Sequence, residues 1–153
     1  MTAGERADMA RRNFLEGYNC SQSVVLAFTD VLEEQGIDAR TMARLASPFG
    51  GGMGRMREVC GAVSGMLMVL GLTEGYDDAK AFAAKKELYQ KVQELCGAYR
   101  EENGSIVCRE LLGLAKGPDA PVPEKRTDAY YRKRPCPELC ACAARIIAEA
   151  RGE

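Results

Sequence analysis

The chain has 153 residues, 46% of them hydrophobic and 28% charged, which gives room for one well-packed domain and matches the profile of a globular protein. Its 21 Lys and Arg are balanced by 22 Asp and Glu, so it lacks the basic excess with which nucleic-acid binders neutralise phosphates. It has no histidine, which excludes a Ser-His-Asp or Cys-His nucleophile, an HExxH zinc site and a C-x-x-C-H haem attachment.

Helix-forming residues recur at 3.6-residue spacing and no long run alternates with period two. This predicts an all-α, single-domain bundle of about five to seven helices around a central apolar helix. The first helix is expected over Thr2 to Glu16, with Ala7, Ala10, Phe14 and Leu15 on one face and Gly17 as its stop. A second begins at Cys20, where Asn19 and Gln22 form a capping box, and it turns Cys20, Val24, Ala27, Phe28 and Val31 inward. A short third helix from Asp38 to Ala46 stops ahead of Pro48. The glycine-rich stretch Phe49 to Arg57 follows, its glycines free to adopt positive φ.

Val59 to Leu72 is apolar on every side except at Ser64, so it is the expected central helix, and its 14 residues are too few to span a membrane. Gly61 and Gly65 lie on one face of it, as a close helix contact requires. A long helix is expected from Asp77 to Glu102, with two aspartates in its first turn and an apolar face of Phe82, Tyr89, Val92, Cys96 and Tyr99. On that face Cys96 reads as a small core hydrophobe. Ser105 is the expected cap of a short helix ending at Leu112. Residues 113–135, with Pro118, Pro121, Pro123 and Pro135, read as an exposed connection before a closing helix from Cys136 or Pro137 to Ala150.

Seven cysteines stand at 20, 60, 96, 108, 136, 140 and 142. Their odd number, their modest density and the absence of an apolar leader in Met1 to Arg12 point to a reducing, cytoplasmic compartment, where cysteines serve metals or redox chemistry more often than bridges. Cys20, Cys108 and Cys136 fall at expected helix N-termini, where free amides and the dipole favour a thiolate, and Cys60 follows Arg55 and Arg57. Arg55, Arg57 and Arg109 are the expected counter-charges. Burial as core filler is the competing explanation for each thiol taken singly. Two chemistries fit the set of four: a Cys₄ shell for zinc or an iron-sulfur cluster, or a dithiol that cycles with a disulfide. Cys140 lies one helical turn after Cys136 and competes for the fourth place, while Cys142 is read as exposed and incidentally reactive. Gly51, Gly52 and Gly54, with Arg55 and Arg57, are candidates to hold an anion or cofactor in a nest of amides, though the loop lacks the Lys and Ser/Thr of a phosphate loop.

Four segments carry a resemblance: Tyr18-Asn19-Cys20-Ser21-Gln22, Phe49 to Gly54, Cys60-Gly61-Ala62-Val63-Ser64-Gly65, and Gly104 to Gly113. Together they resemble the C_GCAxxG_C_C family, over about residues 11–148, and its members are described as redox-active. The resemblance implies one helical domain over residues 1–153, with the family cysteines at Cys20, Cys60, Cys108 and Cys136. It also implies an electron-transfer role with a redox partner protein, by dithiol exchange or through an iron-sulfur or other metal centre. The alternative is a structural or zinc-binding helical module without catalysis. Neither nucleic acid nor membrane is an expected partner, and a homodimer is compatible with a chain of this size.

Overall fold

The computed structural model describes residues 1–153 and is all-helical, with nine right-handed helices and no strand longer than a single bridge. Helix α1 (Ala3–Leu15) starts at a Thr2–Glu5 capping box and buries Ala7, Ala10 and Phe14, while Leu15 faces solvent. Helix α2 (Cys20–Leu26) begins at the expected Asn19–Gln22 capping box. It does not continue as one helix. At Phe28 the backbone leaves the helical region (φ −120°, ψ 31°), and α3 (Thr29–Glu34) restarts at a new angle. The break lets Ala27, Phe28, Val31 and Leu32 all be buried, which a straight helix with one inward stripe would not achieve. Helix α4 (Ala39–Ala46) is capped by Asp38 and runs into a short 3₁₀ turn (Ser47–Phe49).

Helix α5 (Gly61–Glu74) is the apolar helix, and it starts later than the apolar run because Cys60 acts as its N-cap. It shares the centre of the bundle with the closing helix α9 (Cys136–Ala150), which packs against α1, α2, α5 and α6. Gly65 lets α2 lie directly on α5: a Cβ there would stand 2.8 Å from the Ser21 carbonyl and 2.9 Å from the Val24 Cβ. The long helix α6 (Phe82–Asn103) starts five residues later than expected, so Asp77 and Asp78 precede it and do not occupy its first turn. Its fully buried residues, Leu95, Cys96 and Tyr99, all lie in its second half, Leu88 and Val92 pack partly buried against the core, and Phe82 and Tyr89 are exposed. Helix α7 (Cys108–Leu112) is capped by no side chain. Ser105, the expected cap, instead accepts a hydrogen bond from the Val107 amide and donates one to Glu110.

The connection 113–135 is mostly exposed, but it contains a helix that the prolines concealed, α8 (Asp128–Lys133), capped by Thr127. It is fastened to the bundle by Arg126, which donates to the Phe14 and Tyr18 carbonyls and covers the Phe14 ring at 4.0 Å. No helix is long and apolar enough to cross a membrane.

Candidate functional site at the helix N-termini

Each of the four expected cysteines stands at the start of a helix. Cys20, Cys108 and Cys136 are the first residues of α2, α7 and α9, and Cys60 caps α5. The Asn19 capping box fixes the first, and Pro137, suited to a first turn where no amide partner is needed, fixes the last. A Cβ on Gly61 would meet the Cys20 Cβ at 3.0 Å, so the glycine after Cys60 is what lets α5 approach the Cys20 turn. Cys60 and Cys108 are joined through the backbone. The antiparallel bridge Val59–Val107 is flanked by bonds from the Cys60 amide to the Ile106 carbonyl (2.8 Å) and from the Cys108 amide to the Glu58 carbonyl (2.6 Å). Cys60 and Cys108 therefore follow the paired valines on the two segments and project to the same side of the bridge.

The thiols of Cys20 and Cys136 lie close enough for each to shift the other's ionisation, and Cys140, from the next turn of α9, also contacts Cys20. The Cys140 thiol donates to the Cys20 carbonyl at 3.7 Å and is fully buried. Cys60 shares a hydrogen bond with the buried Tyr99 hydroxyl at 3.4 Å, a contact across 39 residues that no sequence motif announces. Cys108 has a different neighbour, for Arg57 donates from Nη1 to its sulfur at 3.6 Å and from Nε to Asp119 at 2.8 Å. Arg57 is itself only 5% exposed.

The glycine-rich stretch is what delivers Arg57. Five consecutive residues, Gly51 to Arg55, have φ between 61° and 70°, and the Gly54 amide bonds the Gly50 carbonyl at 2.9 Å. This is one turn of left-handed helix, a conformation in which only glycine is unstrained. Positive φ at the glycines was expected; at Met53, Arg55 and Arg57 it was not. Gly52 is pressed against the site, because a Cβ there would lie 2.7 Å from the Cys108 Cβ and 2.7 Å from the Glu58 amide. The amides of Arg57 and Glu58 bond back to the Gly51 and Gly52 carbonyls, and Arg55 donates to the Ala120 carbonyl. Of the candidate residues, Gly52 and Arg57 thus lie against Cys108, while Gly51, Gly54 and Arg55 belong to the turn that holds them there. Arg109 lies on α7 and faces Glu58 at 3.8 Å, with no bond to a cysteine.

The electrostatic expectation for the thiols is reversed. Helix ends and arginines were expected to lower their pKa values, and every cysteine is instead shifted upward. Burial pushes the Cys60 thiol up to about 11 against the opposing Tyr99 and backbone hydrogen bonds. At Cys108 burial likewise outweighs Arg57. Cys136 is raised by the adjacent Cys20 thiol and then by burial. The adjacent Cys136 thiol favours the thiolate of Cys20, but the contact with Cys140 and burial reverse the balance and leave its thiol well above the ordinary range. Four partial dipoles do not offset the removal of a charge from water.

Cys96 is a buried core residue. Cys142 is half-buried and belongs to a separate polar group: it donates to Glu102 and accepts from Asn103 and Arg145. The expected metal set is not convergent, since nowhere do three or more Cys, Asp or Glu side chains come together so that they could hold a metal ion. No step through zinc or a cluster is derived for Cys20, Cys60, Cys108 and Cys136.

A family model described as Putative redox-active protein (C_GCAxxG_C_C) matches residues 18–150. The chain belongs to the C_GCAxxG_C_C family. Neither a curated protein nor a solved structure matches it. As a C_GCAxxG_C_C protein it is linked to redox activity by the family description alone. The match runs from the turn before Cys20 to the end of α9 and so takes in all the helix starts that carry the clustered thiols.

Proposed function

We propose that this C_GCAxxG_C_C protein is a dithiol–disulfide redox protein whose working couple is Cys20 and Cys136. The observation that carries the reading is the close approach of these two thiols, each of which shifts the other's ionisation, at the first residues of two packed helices. Cys136 and Cys140 cannot bridge each other, because residues four apart on a helix hold their Cβ atoms about 5–6 Å apart, beyond the ~4.5 Å that a disulfide tolerates. Cys20 is half-buried where Cys136 and Cys140 are buried, so of the three residues it is the one we assign to the encounter with a partner.

The exchange balances with a partner protein that carries a disulfide. The Cys20 sulfur attacks one partner sulfur, the partner disulfide breaks, and its second sulfur leaves as a thiolate. Cys136 then attacks the Cys20 sulfur and releases the first partner sulfur. Two electrons and two protons pass to the partner, and the Cys20–Cys136 bond forms. Raised thiol pKa values leave the reduced pair uncharged near neutral pH, so no thiolate stabilisation favours the reduced form.

The test is a titration of anaerobically purified protein in thiol–disulfide buffers, with acid quench, alkylation and peptide mass mapping, beside a measurement of iron, zinc and acid-labile sulfide. The expected result is one two-electron couple that yields a Cys20–Cys136 bridge and is lost in Cys20→Ser and in Cys136→Ser. Its midpoint should fall by about 59 mV per pH unit from pH 6 to 8.5, as two protons per two electrons require. Stoichiometric metal released by Cys60→Ser, or oxidation without a bridge at Cys20, would overturn it.

A further inference from the structure

The connection 113–135 holds six Lys and Arg against three Asp and Glu, whereas the rest of the chain has 15 against 19. A groove of about 410 Å³, within the range of roughly 300–1,000 Å³ typical of ligand pockets, lies between the end of α7 and α8. Half-buried Leu112, Leu114 and Tyr130 give it an apolar lining, and Lys125, Lys133 and Arg134 give it a cationic one. The acidic residues of the connection do not neutralise it. Asp119 is held by Arg57, Glu124 accepts from Arg134 at 3.1 Å, and Asp128 lies in the first turn of α8, outside the lining. Lys125 and Lys133 remain exposed and take part in none of the ion pairs of the molecule.

Hydrogen bonds and chain order fix this groove beside the couple. Arg126, next to Lys125, donates to the carbonyl of Tyr18, two residues ahead of Cys20. Arg134 stands two residues ahead of Cys136, and its amide bonds the Tyr130 carbonyl at 3.0 Å, so the end of α8 leads straight into the start of α9. Two residues of chain separate Cα atoms by at most about 7.6 Å, which brings both ends of the cationic lining close to the two cysteines of the couple. On the other wall Leu112 is the last residue of α7, and the Asp119 amide bonds the Arg55 carbonyl at 2.9 Å, which holds the connection against the glycine turn.

We infer that this groove is the docking site for the disulfide-bearing partner protein, and that it takes an extended acidic segment of that partner with a large apolar side chain among its carboxylates. This rests on the Cys20–Cys136 reading. Two unpaired ammonium groups beside apolar surface attract carboxylates, and complementary charge speeds the encounter while apolar contact slows departure. A basic segment is repelled at the same place, so the groove also selects among partners. The net charge of −1 gives the chain as a whole no attraction for an acidic protein, and the local excess of cations supplies it where the exchange takes place. The groove adds no chemical step. It raises the frequency with which the Cys20 sulfur meets the partner disulfide.

The inference is tested on the full chain with two synthetic peptides, one with its cysteine beside Leu and four Glu, the other with Lys in place of each Glu. With the cysteine replaced by alanine and a dye attached, they report binding by fluorescence anisotropy. As homodimeric disulfides they report the rate at which the Cys20–Cys136 bridge forms, by acid quench and mass mapping. Each rate is divided by that of the same disulfide with dithiothreitol, because flanking charges alter the peptide's own reactivity. The acidic peptide should bind and react about tenfold better than the basic one at low salt, and the preference should vanish near 1 M salt, where the Debye length is about 3 Å. Replacing its Leu by Ser should weaken binding by about threefold or more. Lys125→Glu together with Lys133→Glu should reverse the preference in binding and in rate, with unchanged far-UV circular dichroism as the check on folding. Equal binding of the two peptides to the wild type, or a preference that survives the double charge reversal, overturns the groove whatever the thiols do. Binding that follows the charges, with equal relative rates of bridge formation, overturns its role as the docking site and leaves the couple standing. If neither disulfide forms a Cys20–Cys136 bridge, the couple fails and the docking role with it.

Discussion

Gly52 and Gly54 occupy the same left-handed turn with nearly equal φ, 66° and 61°, but differ in what surrounds them. Alanine at either position must adopt the left-handed conformation, which costs about 1–2 kcal/mol. At Gly54 nothing lies within 4 Å of the added methyl, so that is the whole effect. At Gly52 the methyl would collide with the Cys108 Cβ at 2.7 Å, the Glu58 amide at 2.7 Å and the Arg57 Cα at 2.8 Å. Two of those atoms are backbone, so relief requires a shift of the turn or of α7, and overpacking adds about 1–3 kcal/mol. Gly52→Ala should therefore lose roughly 2–5 kcal/mol of stability and Gly54→Ala roughly 1–2. Urea unfolding followed by circular dichroism measures both, with unchanged m-values as the check that only the native state moved. The alkylation rate of Cys108 adds a second readout, since only Gly52→Ala displaces that residue. Equal losses at the two positions, or a normal Cys108 in Gly52→Ala, would refute the account of the turn as a support for that cysteine.

Arg6 is 1% exposed, donates to the Ala27 carbonyl, Asp30 and Glu153, and covers the Phe28 ring at 4.6 Å. Arg6→Ala should cost about 2 kcal/mol through lost packing and an unpaired carbonyl, read from urea unfolding at pH 7. The hydrogen bonds from Arg6 hold the Asp30 and Glu153 carboxyls below their usual values, so their stabilisation is present above about pH 4 and is lost as pH falls through the folded values. The variant should lose less stability on acidification than the wild type. At the alkaline end the sign is opposite. Cys60 titrates at about 11 in the folded chain, above its unfolded value near 8.5, so the folded state keeps the proton longer. Stability is fully present below about pH 8.5 and falls as pH rises towards 11, and Cys60→Ser should flatten that fall in unfolding curves taken between pH 7 and 10.5.

The helix starts could be read from the sequence because capping is local. Asn19 and Gln22 act within one turn of Cys20, and Pro137 acts at the neighbouring position to Cys136, so both thiols were placed before any packing was known. The apolar run that ends in α5 was equally plain, since a helix without a polar side has to be surrounded. What escaped the sequence depends on distance along the chain. Asp119 meets Arg57 across 62 residues and Tyr99 meets Cys60 across 39, and no periodicity marks either pair. The left-handed turn was half visible: glycines permit it, but Met53, Arg55 and Arg57 adopt it only because the surrounding contacts require it. The direction of the thiol shifts was misjudged because a helix end is a local feature, whereas burial is set by the whole fold. The break at Phe28 and the late start of α6 at Phe82 likewise reflect packing and not propensity.

The scattered origin of the cysteines bears on how the protein is made. Cys20, Cys60 and Cys108 leave the ribosome before α9, the helix that supplies Cys136 and Cys140 and packs on α1, α2, α5 and α6. Until α9 docks, these three thiols are open to oxidation with whichever sulfur is nearest, and each early bridge would tie together helices that have yet to find their neighbours. For a chain of this kind, completing synthesis before oxidant arrives keeps those thiols free to take their places in the fold.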